Sequence, residues 1–227
     1  MARVIIIGGH GKIALRLARL LTARGDEVSS VIRNEAQADD IRATGATAVL
    51  ADVEHLDTAA IASVLRGHDA VVWSAGAGGG SPARTYAVDR DAAIRSIDAA
   101  AVAGVPRYIM VSYFGAGPDH GVPEGDSFYA YADAKAAADT YLKGVGLQWT
   151  ILGPSRLTDE PGSGGIEIGG SAGAGAAATG AAATGVKAQV SRDTVAQVAA
   201  AVLADPATVG RVIEFNDGDQ PIAEALS

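Results

Sequence analysis

Short β-branched apolar runs alternate along the chain with longer stretches in which apolar residues recur at helical spacing. The runs at residues 3–7, 28–32, 47–50, 70–73, 107–111, 149–152 and 211–215 predict strands. The segments predicted as helices are 15–21 with a stop at Gly25, 35–43, 56–65, 87–103, 129–142 and 193–203. This alternation requires crossover connections and a mainly parallel sheet with helices on both faces. We therefore predict an α/β fold, a single doubly wound Rossmann-type domain over residues 1–227.

A segment of small residues at 162–185 interrupts this alternation. Only Ile166 and Ile168 provide large apolar side chains there, and residues 171–185 contain none. We expect this part of the chain to be flexible. It forms either a mobile lid over a site or a low-complexity insertion without a role.

Composition and charge narrow the classes of partner. The chain has 18 basic and 26 acidic residues, a net charge of −8, and no cysteine. An acidic chain without a basic run has little attraction for nucleic acid or anionic lipid, so we expect a small-molecule substrate. No metal site is expected, because the four histidines are scattered. The first apolar run ends at Gly8, too early for a signal peptide or membrane span, so we expect a cytoplasmic monomer or homodimer.

The turn after the first predicted strand carries the spacing G-x-x-G-x-x-A in residues 8–14 (GGHGKIA). Gly8 permits a tight turn, Gly11 allows close approach of a pyrophosphate, and Ala14 keeps the helix near the strand. The start of the following helix directs N–H groups and a positive dipole at bound phosphate. The pattern predicts a dinucleotide site, the alternative being a merely structural turn.

The end of the second predicted strand bears on which dinucleotide binds. An acidic residue there would accept the ribose hydroxyls of NAD, whereas an arginine can pair with the 2′-phosphate of NADP. Residues 29–34 (SSVIRN) contain no acid and place Arg33 at the junction. We therefore favour NADP over NAD, unless Arg33 is a solvated surface charge. Asp52, after the third strand, is a candidate acceptor for the adenine amine.

Tyr131 and Lys135 stand four residues apart on a predicted helix and so share one face. A lysine ammonium beside a phenol favours the phenolate, which predicts a lowered pKa for Tyr131 and a role in proton transfer. Lys135 can also bind the nicotinamide ribose. The alternative is a structural surface pair.

With the glycine turn, the Tyr131/Lys135 pair and the strand order, the chain resembles the short-chain dehydrogenase/reductase superfamily. It is most similar to the atypical NAD(P)-binding members, which are related to sugar epimerases and to flavin and biliverdin reductases. Residues 31–34, 87–89, 110–112, 153–162, 190–195 and 218–222 extend the resemblance, which covers the chain apart from the small-residue segment. The contacts that it implies are Gly8, His10, Gly11, Lys12 and Ile13 for pyrophosphate, Arg33 and Asn34 for the 2′-phosphate, Asp52 and Val53 for adenine, Ala75 and Gly76 for ribose, and Pro154 and Ser155 for nicotinamide. For His10 an incidental role is the alternative.

The resemblance implies an NADP-dependent oxidoreductase acting on a small carbonyl or flat conjugated substrate, with Tyr131, Lys135 and Ser112 as catalytic residues. Relatives usually carry consecutive serines after strand five, but Tyr113 follows Ser112 here. Either Ser112 or Tyr113 polarises the substrate carbonyl, or that group is absent. Phe114, Phe128 and neighbouring tyrosines form either a stacking wall or core. A non-catalytic NAD(P)-binding sensor and a nucleotide-sugar epimerase or dehydratase remain alternative functions.

Overall fold

The computed structural model describes residues 1–79, 81–169 and 188–227. Its strands are β1 (Arg3–Ile7), β2 (Glu27–Ile32), β3 (Thr47–Leu50), β4 (Ala70–Trp73), β5 (Arg107–Val111), β6 (Gln148–Pro154), β7 (Arg156–Thr158), β8 (Gly165–Ile168), β9 (Gln189–Ser191), β10 (Arg211–Gly218) and β11 (Gln220–Pro221). Its helices are α1 (Lys12–Ala23), α2 (Ala38–Arg42), α3 (Thr58–Leu65), α4 (Pro82–Thr85), α5 (Ala93–Ala103), α6 (Tyr129–Lys143), α7 (Arg192–Ala204) and α8 (Ile222–Leu226). A π-helical segment, Tyr86–Ala92, joins α4 to α5, and 3₁₀ turns occur at Glu35–Gln37 and Pro206–Thr208.

The main sheet has the order β3-β2-β1-β4-β5-β6-β10-β8-β11. Strands β1 to β6 and β10 pair in parallel, whereas β8 and β11 add an antiparallel edge. In the described residues, β7 and β9 form a separate parallel pair. The predicted α/β fold with a mainly parallel sheet is confirmed.

Alternation along β1 shows how the sheet builds a core on both faces. Ile6 packs among side chains that include Leu17 of α1 and Val198 of α7. Ile5 lies in the cluster on the other face, which includes Ile97 of α5 and Leu142 of α6. The four apolar side chains Val4–Ile7 are buried, as expected for a strand covered on both sides, and only Arg3 at its start is exposed.

The sheet extends into the segment predicted to be flexible. Residues 165–168 of that segment form β8, because Ile166 is fully buried in the core beside Leu226 of α8. The prediction was wrong for this part, since one buried isoleucine was enough to anchor a short strand between β10 and β11. Residues 170–185 of the predicted segment lie outside the described part of the chain.

Arg107 ties the start of β5 to the end of α7. Its guanidinium donates to the carbonyl oxygens of Gln148 and Val202, each at 2.7 Å, and to the Thr208 hydroxyl at 3.0 Å. Burial lowers the pKa of Arg107 to about 10. The bond to Val202 places a cation at a helix C-terminus, where the dipole favours it.

The order of the strands places a crevice at the carboxyl edge of the sheet. β1 lies between β2 and β4, so successive connections leave it toward opposite sides of the sheet. Ligands of open α/β sheets bind at such a switch point. No helix in the described ranges is both long and apolar enough to cross a membrane.

Candidate functional site

In the turn after β1, glycine backbone packs directly against the backbone that follows β4. Gly8 has a φ of +84°, and a Cβ built there would lie 2.6 Å from the Cα atom of Ala75. A Cβ on Gly9 would lie 2.6 Å from the Cβ atom of Ser30. The amide of Gly9 donates to the Val31 carbonyl oxygen at 2.8 Å. Glycine is therefore required here both by conformation and by the close approach of neighbouring backbone.

The N-terminus of α1 opens directly onto the crevice. Gly11 occupies the N-cap position without a capping side chain, and the first turn contains no acidic residue. The N–H groups of that turn and the positive end of the dipole suit a phosphate ligand. The ammonium of Lys12 instead pairs with Asp159 at 2.6 Å. Asp159 also faces Arg16 and Arg192, and these cations lower its pKa.

A cavity of about 260 Å³ occupies the crevice beyond this turn. The sequence-predicted residues that line it are Gly8, His10, Gly11, Arg33, Asp52, Val53, Ala75 and Gly76. The structure adds Val31, Ile32, Gln37, Ala51, Glu54, Ser74, Arg84 and Val88. Loops that follow four different strands therefore meet in one cleft, as predicted for a dinucleotide site.

Two arginines stand at the mouth of this cleft. Arg33 and Arg84 approach the same Glu54 carboxylate oxygen at 3.7 and 3.4 Å. Arg84 also donates to the Ala77 carbonyl oxygen at 2.5 Å. Sequence reasoning missed Arg84, because it lies more than fifty positions after Arg33 and reaches the cleft only when α4 folds against the sheet.

Several predicted cofactor contacts are engaged in bonds within the protein. His10 lies between Asp40 at 2.7 Å and Gln37 at 3.2 Å. Asn34 caps the following 3₁₀ turn by accepting from the amide of Ala36 at 3.0 Å. For both residues, contact with a cofactor stays a prediction.

The structure also shows the surroundings of the predicted contacts Asp52, Ile13, Pro154 and Ser155. Asp52 faces the cleft and accepts from the amide of Glu54 at 3.2 Å. Ile13 is buried below the turn, with its side chain in the core. Pro154 and Ser155 follow one another at the end of β6, and the Ser155 hydroxyl is buried without a partner in the described residues.

Lys135 and Ser112 are held in a buried polar cluster below the cleft. The Lys135 ammonium donates to the Val111 carbonyl oxygen at 2.7 Å, and Lys135 is 1% exposed. The Ser112 hydroxyl donates to Asp139 Oδ2 at 2.5 Å. Asp139, four residues after Lys135 on α6, was not predicted. Its spacing was the available signal, because it places the carboxylate on the same helix face.

Burial raises the pKa of Tyr131 well above its ordinary value, and the carboxylates of Asp89 and Asp139 raise it further. The prediction that Lys135 lowers this pKa is wrong. Lys135 acts on two carboxyl groups instead. Burial raises the pKa values of Asp89 and Asp139, and the positive charge of Lys135 opposes that rise. The ammonium is therefore shared between two carboxylates that compete with the phenol for its charge.

An aromatic cluster surrounds the Tyr131 ring. Tyr113 and Phe128 lie 5.6 and 5.2 Å from it between ring centroids, and 5.3 Å from each other. Burial raises the pKa of Tyr113 to about 12, and its hydroxyl is buried without a partner among the described residues. Phe114 is a core residue at 2% exposure, so it does not belong to this cluster.

A second cavity, of about 470 Å³, borders Tyr131. It lies between the loop after β4, the α4 helix with the π-helical segment, and the start of α6. Its lining residues are Ala77, Gly78, Gly79, Pro82, Thr85, Asp89, Ser127, Phe128, Ala130 and Tyr131. The family resemblance included Asp89 within residues 87–89 but implied no role for it; the π-helical segment directs this carboxylate toward the loop after β4.

Comparisons with known proteins agree with this geometry. A family described as NAD(P)H-binding matches residues 8–206. The chain is 36% identical over 226 residues to an uncharacterized sugar epimerase, YhfK, of Bacillus subtilis, covering 99% of this chain and 98% of that protein. A solved Bacillus halodurans protein, provisionally assigned as an NAD-dependent epimerase/dehydratase, has a TM-score of 0.86 and 30% identity, covering 100% and 99% of the two chains. The oxidoreductase ylbE of Lactococcus lactis has a TM-score of 0.82 and 27% identity, covering 99% and 94%.

Proposed function

Because the chain belongs to the NAD(P)H-binding family, as its resemblance to atypical short-chain dehydrogenases/reductases implied, we propose that it is an NADP-dependent oxidoreductase. It transfers hydride between nicotinamide and a small carbonyl or flat conjugated substrate. The observations that support the proposal are the phosphate-binding turn after β1, which opens onto the cleft, and the Lys135–Val111 and Ser112–Asp139 hydrogen bonds after β5, at the same edge of the sheet. The similarity to an oxidoreductase of Lactococcus lactis supports it.

The residues of the cleft fit a dinucleotide. The turn at Gly8 leaves no room for a side chain, and the N-terminus of α1 has no capping side chain or acid to compete with phosphate. The pyrophosphate would bind there, and the adenosine half would bind in the adjacent cavity. Arg33 and Arg84 favour NADP, because two guanidinium groups share the single Glu54 carboxylate and one positive charge remains for a 2′-phosphate.

The bound nicotinamide supplies or accepts the hydride, and the chain handles the accompanying proton. The raised pKa of Tyr131 keeps its hydroxyl protonated at neutral pH, so Tyr131 acts as a general acid toward the substrate oxygen. Ser112 gives its only proton to Asp139, so it offers a lone pair rather than a donor. Lys135 stabilises this polar cluster through its hydrogen bond to the Val111 carbonyl oxygen and through its positive charge near Asp89 and Asp139.

The decisive experiment follows NADPH oxidation with aldehydes, quinones and flavins. We expect Tyr131→Phe to lower the rate by about 100-fold or more, because the general acid is removed. Affinity for NADP should stay within about threefold in the same variant, which separates chemistry from binding. Full activity in Tyr131→Phe would contradict the role assigned to this hydroxyl.

A non-catalytic sensor of the NADP state is the second candidate. The commitment of the Ser112 proton to Asp139 favours it, since a substrate carbonyl then loses one donor. Tight binding of NADP without turnover of any substrate in the panel would favour the sensor. A nucleotide-sugar epimerase would retain NAD during purification and consume no NADPH; the name of the Bacillus subtilis relative, a sugar epimerase, is the reason to test this alternative.

A further inference from the structure

The second cavity is distinct from the cofactor cleft and shares none of its lining residues. Its volume of about 470 Å³ falls within the range of small-molecule sites. Gly76 lines the cofactor cleft and the next residue, Ala77, lines this cavity. Likewise, Val88 lines the cofactor cleft and the next residue, Asp89, lines the second cavity. A molecule in the second cavity would therefore lie beside a bound dinucleotide, with Tyr131 in its wall.

The lining of this cavity is apolar and hydroxylic, with one acidic group. Pro82 and Phe128 contribute apolar surface, while Thr85, Ser127 and Tyr131 contribute hydroxyls. Among the described lining residues, none is a lysine or arginine. A carboxylate or phosphate placed here would lose its water shell and gain no cation in return.

Asp89 gives the cavity its charge. It is 1% exposed, and its Oδ2 atom accepts from the Ala77 amide at 2.9 Å. Its Oδ1 atom is buried and has no partner in the part of the chain that the structure describes. Burial raises the pKa of Asp89, and the charges of Lys135 and Arg84 oppose that rise; Lys135 acts in the same way on Asp139. An anion in the cavity would meet an acceptor oxygen that has no hydrogen-bond donor, whereas a donor group would satisfy it.

We infer that this cavity binds the substrate of the proposed oxidoreductase, and that it admits uncharged molecules, above all those with a hydroxyl donor, and rejects anions. The inference rests on the proposed function, since it takes Tyr131 to be the proton donor at the cavity wall. It narrows the substrate class to neutral aldehydes, ketones and quinones. Phosphorylated flavins, nucleotide sugars and carboxylated tetrapyrroles are excluded by their charge.

Three aldehydes of matched shape test this inference: benzaldehyde, para-(hydroxymethyl)benzaldehyde and para-carboxybenzaldehyde. Their dissociation constants are measured by ligand-observed NMR on protein saturated with NADP⁺, which cannot reduce them. We expect the carboxylate to bind at least about tenfold more weakly than the hydroxymethyl compound, because its charge is unpaired in the cavity. Equal or tighter binding of the carboxylate to the wild-type protein overturns the inference without any variant.

Asp89→Asn tests the source of the selectivity. Asparagine can still accept from the Ala77 amide through its side-chain oxygen, so the loop contact is retained. We expect the ratio of the two dissociation constants to fall to about threefold or less, since the repelling charge is gone. An unchanged ratio in a folded variant would overturn the role assigned to Asp89.

Ala130→Phe tests the location of the site, with Ala130→Ser as the matched control. The larger ring fills part of the cavity and should weaken all three aldehydes by about tenfold or more, while NADP affinity is retained. Unaltered aldehyde binding would place the site elsewhere. If the aldehydes bind in the expected order but none oxidises NADPH, the oxidoreductase proposal fails and the cavity assignment stands. If para-carboxybenzaldehyde is reduced as efficiently as the neutral aldehydes, the cavity inference fails and the oxidoreductase proposal stands.

Discussion

Two glycines with the same backbone conformation distinguish a conformational requirement from a requirement for close approach. Gly8 has a φ of +84° and Gly67 a φ of +83°, so alanine at either position carries a similar strain of about 1 kcal/mol. A Cβ on Gly67 meets nothing within 4 Å, whereas one on Gly8 would lie 2.6 Å from both Cα and N of Ala75. Relieving that overlap requires the turn or the end of β4 to shift, at a further cost of about 1–3 kcal/mol. We therefore expect losses of about 1 kcal/mol for Gly67→Ala and about 2–4 kcal/mol for Gly8→Ala.

Urea unfolding monitored by circular dichroism gives these free energies, and calorimetric titration gives the NADP affinity of each variant. Gly67→Ala should bind NADP as the wild type does, because Gly67 ends a surface helix far from the cleft. Gly8→Ala should lose at least about tenfold in affinity, since the moved backbone no longer fits the pyrophosphate. Equal destabilisation in the two variants, or wild-type NADP affinity in Gly8→Ala, would refute the close-approach argument.

Five further variants test the polar contacts. Asp139→Asn keeps an acceptor for the Ser112 hydroxyl but removes a carboxylate whose pKa is raised by burial. Folded wild-type protein loses stability as pH rises above the ordinary carboxyl value of 3.8, so the variant's advantage in urea midpoint should grow from about pH 4 to pH 7. Arg33→Ala and Arg84→Ala should each weaken NADP by about tenfold and leave NAD unaffected, as calorimetry would show. Arg107→Met should cost about 2–4 kcal/mol in urea unfolding, because three buried acceptors lose their donor, and Arg107→Lys should cost less.

Local sequence patterns were enough to predict the strands that border the cleft. Five predicted strands keep their bounds within one residue, because each is a short apolar run between turns. The positions of Gly8, Arg33, Asp52 and Ala75 around one cavity follow from those strands, since each residue stands just after a strand end. Parallel strands bring such positions to one edge of a sheet, so the predicted strands also imply that these residues lie around one cavity.

Contacts made through tertiary packing were beyond reach of these patterns. Arg84 approaches Glu54 only because α4 folds over the cleft, and the sequence separation of 30 carries no periodic signal. The π-helical segment that turns Asp89 toward Ala77 has no recognisable sequence signature within an apparently regular helix. Short strands such as β8 are equally difficult to predict from the sequence, because two isoleucines among glycines do not form a continuous apolar run.

The pKa of Tyr131 is raised and not lowered as predicted, and this difference has a mechanistic consequence. Spacing on α6 predicted that Lys135 would stabilise a phenolate, which suits removal of a proton from an alcohol. In the folded protein, burial raises the pKa of Tyr131, and the carboxylates of Asp89 and Asp139, on which the Lys135 charge also acts, raise it further. A phenol that stays protonated does not remove a proton from an alcohol, so in the proposed reaction the role left for Tyr131 is proton delivery to a substrate oxygen, the direction of carbonyl reduction. Removing one carboxylate by Asp139→Asn should therefore shift the alkaline limb of the pH–rate profile for reduction to lower pH, because Tyr131 then ionises more readily.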